Sequence, residues 1–142
     1  MVNGLYCQDS KIKEVTQDFF NFVKFDHDTL YGSDLVLDEV RKTPDEKLRR
    51  LLVELLDEYE IEILPLSEEV RRLAQRYVSE KIIAAKYIAD ALHIAVAAMH
   101  NIPVLVSWNF EHIVKHKTRV EVNRINATLR LPQIDICSPQ EV

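Results

Sequence analysis

The chain has 142 residues, a formal net charge of −5, 47% hydrophobic residues and two cysteines. That length makes one domain spanning 1–142, with room for a real core, and the composition excludes a disordered chain. No apolar run approaches the ~20 residues that cross a bilayer, and an acidic balance argues against a general nucleic-acid binder, which is basic as a rule. Cys7 and Cys137 form neither a metal-ligand spacing nor a disulfide framework, so two reduced thiols in a cytoplasmic protein are expected. Met1-Val2-Asn3-Gly4-Leu5-Tyr6 carries no basic or apolar leader region, and no signal peptide is expected.

Lys11 to Phe25 reads as an amphipathic helix, with Ile12, Val15, Phe19, Phe22 and Val23 on one face. Thr29 to Ser33 is short and β-prone, and Ser33 is placed to cap a helix through Asp34–Val40. Thr43-Pro44-Asp45-Glu46 has the form of a capping box with Pro at the first helical position. The helix it opens carries Leu48, Leu51, Leu52 and Leu55 on one face. Glu60 to Leu64 alternates with period two and meets Pro65, as a strand would. Ser67 caps the next helix, whose apolar face is Val70, Leu73, Ala74, Tyr77 and Val78, with Glu68 and Glu69 in the first turn.

Ile88 to Met99 is apolar almost all round and predicts a buried central helix. Ile102 to Val106 is the best strand. Phe110 to Val114 is read as a short helix with Asn109 near its cap, Arg119 to Leu129 as a longer one, and Gln133 to Ile136 as a last strand. Strands alternating with helices imply an α/β fold, a parallel sheet with helices on both faces.

The chemistry concentrates in the second half. Asp90 opens the apolar helix, and the strand after it ends on Ser107-Trp108-Asn109, where open α/β sheets hold their ligands. His93 and His112 each lie three residues beyond one of these positions, on the same helical face. From Glu111 to Arg130, five basic residues (Lys115, Lys117, Arg119, Arg124 and Arg130) stand against two glutamates. Such a rim beside acids suits a polyanionic substrate, though a solvated face would read the same way. Plain alternatives exist for the others as well. Glu39 and Asp38 could be solvated acids, Asp90 a helix-dipole partner, Asn109 an N-cap, and the histidines core residues bonded to backbone.

Asp90-Ala-Leu-His-Ile-Ala together with Leu105-Val-Ser-Trp-Asn-Phe-Glu-His-Ile-Val114 closely resembles the C-terminal half of PIN-domain proteins. These are metal-dependent nucleases, many of them toxins of bacterial toxin–antitoxin pairs. The resemblance implies an endoribonuclease using Mg²⁺ or Mn²⁺, with Glu39, Asp90 and Asn109 as metal-binding and catalytic residues. Under that reading Ser107, His93 and His112 are candidate supporting residues by their position, and the basic stretch, with Lys115, Lys117, Arg119 and Arg124, would grip RNA. RNA, an antitoxin protein and a second copy in a homodimer are the implied partners. PIN domains begin with a central strand ending in the first metal-binding Asp. Met1–Tyr6 resembles the turn after that strand, so the first strand and its acid are expected to be missing, a truncation that Asp9 and Asp18 do not repair. Weak metal affinity and slow or absent cleavage follow, and the alternative is an inactive PIN-like module that binds RNA or protein.

Overall fold

The computed structural model describes residues 29–107, 109 and 111–141, together with Glu14, Gln17, Asp18 and Asn21. These four are helical and exposed, and they fall at polar positions of the stretch Lys11–Phe25. Its apolar face, Cys7, Trp108 and Phe110 lie outside the described residues. The chain divides into two compact units, one ending at Leu64 and the other covering Pro65–Glu141.

In the first unit, β1 (Tyr31–Ser33) leads into α1 (Asp34–Arg41), followed by α2 (Glu46–Glu58) and β2 (Glu62–Leu64). The two strands pair in parallel, Tyr31 opposite Glu62 and Ser33 opposite Leu64, because two helices intervene and return the chain to the same end. Gly32 allows the close approach: a Cβ there would lie 3.3 Å from side-chain carbons of both Ile61 and Ile63. Val40, Leu52 and Leu55 are buried.

Two caps differ from expectation. Ser33 precedes α1 but makes no side-chain cap bond. It is still paired in β1, and its hydroxyl is buried without a partner among the described residues. Thr43 does not cap α2 either. Its hydroxyl donates to the Glu39 carbonyl at 3.1 Å, and the carboxylate of Asp45 accepts the Leu48 N–H instead. The helix therefore starts at Glu46, two residues beyond the proline.

In the second unit, α3 (Glu68–Ser79) precedes a short 3₁₀ turn (Ala85–Tyr87) and α4 (Ile88–Met99). The chain continues through β3 (Val104–Val106), α5 (His116–Thr128) and β4 (Asp135–Cys137). Ser67 caps α3 by accepting from Val70 N–H at 3.3 Å. Val70, Leu73, Ala74 and Tyr77 of α3 are buried, as are Ala91, Ile94, Ala95 and Ala98 of α4. The alanines let the two helices pack over much of their length.

β3 and β4 are parallel, with Val104 opposite Asp135 and Val106 opposite Cys137. The pairing is extended at both ends by Asp135 N–H to the Pro103 carbonyl and Ser107 N–H to the Cys137 carbonyl. α5 is tied to α3 where the Tyr77 hydroxyl donates to Asn126 Oδ1 at 2.6 Å, with both residues fully buried. The fold is thus α/β with parallel strands and five described helices, as expected. Among the described residues the hydrogen-bonded strands form two parallel pairs, one in each unit.

Four of the helices end alike. After α2, α3, α4 and α5 come Glu60, Lys81, Asn101 and Arg130, each with φ between 49° and 60°. In every case the next residue (Ile61, Ile82, Ile102 or Leu131) sends its N–H back to a carbonyl of the last turn. This is the Schellman arrangement with no glycine in the left-handed position. An apolar residue follows each time.

Candidate functional site

Asp90 is the third residue of α4, in its first turn, where a negative charge faces the positive end of the helix dipole. It is half-buried in a helix otherwise made of apolar side chains and one histidine. Among the described residues, no hydrogen bond or ion pair engages its carboxylate. A half-buried charge without a protein partner calls for a ligand or solvent. His93, one turn further along α4, is half-buried too.

Asn109 organises the turn after β3. Its N–H donates to Ser107 Oγ at 3.0 Å, and its Oδ1 accepts the His112 N–H at 3.0 Å. Its carbonyl accepts from Ile113 at 3.2 Å and from Val114 at 2.7 Å. Glu111–Ile113 accordingly form a turn, not the short helix expected over Phe110–Val114. The Val114 bond spans five residues, and a helical ladder does not propagate from it. The Asn109 amide oxygen keeps a second lone pair. Ser107 acts on Asn109 alone among these bonds, which makes it a positioning residue.

These two stretches meet through a ring stack. Tyr87, the residue before α4, lies on the His112 imidazole with centroids 3.8 Å apart and planes at 29°. Tyr87 precedes Asp90 by one turn, and His112 follows Asn109 by one turn. The stack therefore joins the start of the Asp90 helix to the Asn109 turn. Lys86 Nζ sits 5.0 Å from the Tyr87 ring centroid, and the Glu111 carboxylate lies 3.8 Å from His112 Nε2. The His112 carbonyl accepts from the Thr118 hydroxyl at 3.0 Å, anchoring the turn to α5. Sequence reasoning missed Tyr87 and Lys86. The signal available was spacing, an aromatic three before Asp90 and an imidazole three after Asn109.

Glu39 lies in the first unit, exposed on α1, beside Asp38, which pairs with Arg41 at 3.8 Å. Asp90 and Asn109 both lie in the second unit. Among the described residues, no three His, Cys, Asp or Glu side chains are grouped as a metal cage.

The basic stretch is less uniform than its sequence. Arg119 grips Glu141 with both terminal nitrogens, at 3.1 and 3.2 Å. Arg124 pairs with Glu121 at 3.0 Å and approaches Glu80 at 3.9 Å. Lys115 and Lys117, at the start of α5, are exposed and have no carboxylate partner among the described residues.

Residues 11–112 match the PIN domain model, a span that includes Glu39, Asp90 and Asn109. No curated protein and no solved structure matches the chain significantly. With well over half of its length matched, the chain belongs to the PIN domain family, a family associated with metal-dependent ribonuclease chemistry.

Proposed function

We propose that this protein is an endoribonuclease dependent on Mg²⁺ or Mn²⁺, the toxin of a toxin–antitoxin pair, with Asp90 and Asn109 as residues that hold the metal. The observation that carries the reading is Asp90, a half-buried carboxylate with no partner among the described residues, joined through one ring stack to the turn of Asn109. A carboxylate and an amide oxygen are hard donors of the kind Mg²⁺ takes, with water and substrate phosphate completing the shell. When bound, the cation would lower the pKa of a water and neutralise charge on the phosphodiester.

The protein's own residues supply position and charge. Asp90 offers negative charge at a fixed point of a rigid helix. Asn109 is held by Ser107 and by the His112 N–H, so its amide needs no reorganisation to accept a ligand. Lys115 and Lys117 are the basic side chains best able to meet RNA phosphates, since Arg119 and Arg124 already serve carboxylates.

Melting in millimolar Mn²⁺ and cleavage of single-stranded RNA test the reading. Mn²⁺ should raise the melting temperature by mass action, and Asp90→Ala should abolish both that rise and cleavage. An unmoved melting temperature in the wild-type protein would sink the metal site. RNA binding without cleavage would favour a non-catalytic binding module.

A further inference from the structure

We propose that the Tyr87–His112 stack is a base platform: it holds one unpaired nucleobase of a single-stranded RNA, with Lys86 meeting the adjoining phosphate. The inference rests on the ribonuclease reading for the class of ligand, and on separate observations for the place.

The pair is not core. Tyr87 is half-buried and the His112 side chain is 22% exposed, whereas Tyr77, a core aromatic among the described residues, is fully buried with its hydroxyl bonded to Asn126. The Tyr87 hydroxyl has no partner among the described residues. Two flat rings already in van der Waals contact present a π surface in a fixed orientation, and a base adding to such a surface loses little freedom of the protein's own. Every base has a π face, so this mode of binding tolerates sequence.

Lys86 supplies the second half of the recognition. Its ammonium sits near the Tyr87 ring on an exposed side chain. An exposed cation over a ring is held more weakly than a base stacked on one. An arriving base can therefore displace the ammonium, which then neutralises the phosphate that travels with that base. The platform lies one turn from Asp90 on one side and one turn from Asn109 on the other. A nucleotide stacked there keeps its backbone beside the two residues proposed to act on it.

The test is binding of a fluorescein-labelled single-stranded RNA of about a dozen nucleotides, measured by anisotropy in EDTA so that no divalent cation contributes. Tyr87→Leu, which keeps apolar volume and loses the ring, should weaken binding about tenfold, while Tyr87→Phe should bind like the wild type. One abasic position in the RNA should cost the wild type a similar factor and cost Tyr87→Leu almost nothing. A Tyr87→Leu protein that binds within about twofold of wild type, an abasic scan that affects both proteins equally, or a wild type that binds no RNA would each overturn the platform. Should Tyr87→Leu fail to fold, the same abasic scan with His112→Gln decides the matter by the same criterion. The Mn²⁺ melting shift is read separately. If it is absent while the stacking signature is present, the metal reading fails and the platform stands.

Discussion

Asn123 and Ile134 are joined by two hydrogen bonds, Asn123 Nδ2 donating to the Ile134 carbonyl at 2.9 Å and Asn123 Oδ1 accepting the Ile134 N–H at 2.8 Å. A side-chain amide thus does for Ile134 what a neighbouring strand would do, one residue before β4 begins. Ile134 is itself buried, so its backbone groups would have no ready access to water. Asn123→Ala should destabilise the protein by about 2–3 kcal/mol, the cost of stranding two such groups. Asn123→Asp should not rescue it, because a carboxylate oxygen would then face the Ile134 carbonyl. Urea unfolding reads the difference, and an alanine variant within ~0.5 kcal/mol of wild type would show that this pairing contributes nothing.

The left-handed residues at the helix ends give a prediction of opposite sign. Glu60, Lys81 and Arg130 hold a conformation that costs a side-chain-bearing residue roughly 1–2 kcal/mol, against roughly 0.5–1 kcal/mol of extra chain entropy for glycine. Lys81→Gly, Glu60→Gly and Arg130→Gly should therefore each be neutral to stabilising, by up to about 1 kcal/mol. Asn101→Gly should gain least, since asparagine already tolerates the region. Gln75→Gly, inside α3 and exposed, should lose about 1 kcal/mol. Melting temperatures of the five variants check the pattern. A loss at Lys81→Gly as large as that at Gln75→Gly would contradict it.

Glu141 should make the protein acid-sensitive. The Ser138 N–H, at 2.6 Å, and then the Arg119 guanidinium hold its carboxyl below the usual glutamate value. A depressed folded pKa contributes stability that is full above the unfolded value and is lost as pH falls through the folded one. The melting-temperature gap between wild type and Glu141→Gln should be open at neutral pH and close on acidification below the ordinary glutamate range. A gap that stays constant with pH would rule the linkage out.

Cys137 should be slow to react. Burial pushes its thiol up, the carboxylates of Asp135 and Glu141 push the same way, and Arg119 opposes them only in part. The nucleophile is the thiolate, so in a Cys7→Ser background alkylation of the native protein at pH 8 should be far slower than in urea. Equal rates would mean that Cys137 is neither buried nor perturbed.

Asp90→Ala should separate stability from metal binding. Alanine is the better helix former by roughly 0.7 kcal/mol and removes a half-buried charge. Against that stands an attraction to the helix dipole of about 0.3–1 kcal/mol. In EDTA the variant should melt close to wild type, and in Mn²⁺ it should fall below it. A variant already well below wild type in EDTA would assign Asp90 a structural role instead.

The extent to which this protein can be read from its sequence follows the range of the interactions involved. Apolar spacing placed α2, α3 and α4, whereas α5 begins at His116, three residues before the Arg119 expected. The limits of α4 were readable to the residue, because such spacing needs only neighbours within a turn or two. The Ser67 cap was readable for the same reason, with its partner three residues away. Thr43 failed because its hydroxyl had a second local partner, the Glu39 carbonyl, and sequence does not say which bond wins. The helix ends at Glu60, Lys81 and Arg130 lacked the usual glycine, so only the backbone angles reveal them. The basic stretch looked uniform until Glu141 arrived from elsewhere in the second unit to occupy Arg119, while Arg124 took the local Glu121. The Tyr87–His112 stack joins residues twenty-five positions apart. Asp90 and Asn109 could be named from sequence, but what links them could not, since a contact across that distance depends on how α4 and the turn after β3 pack, and no local pattern encodes it.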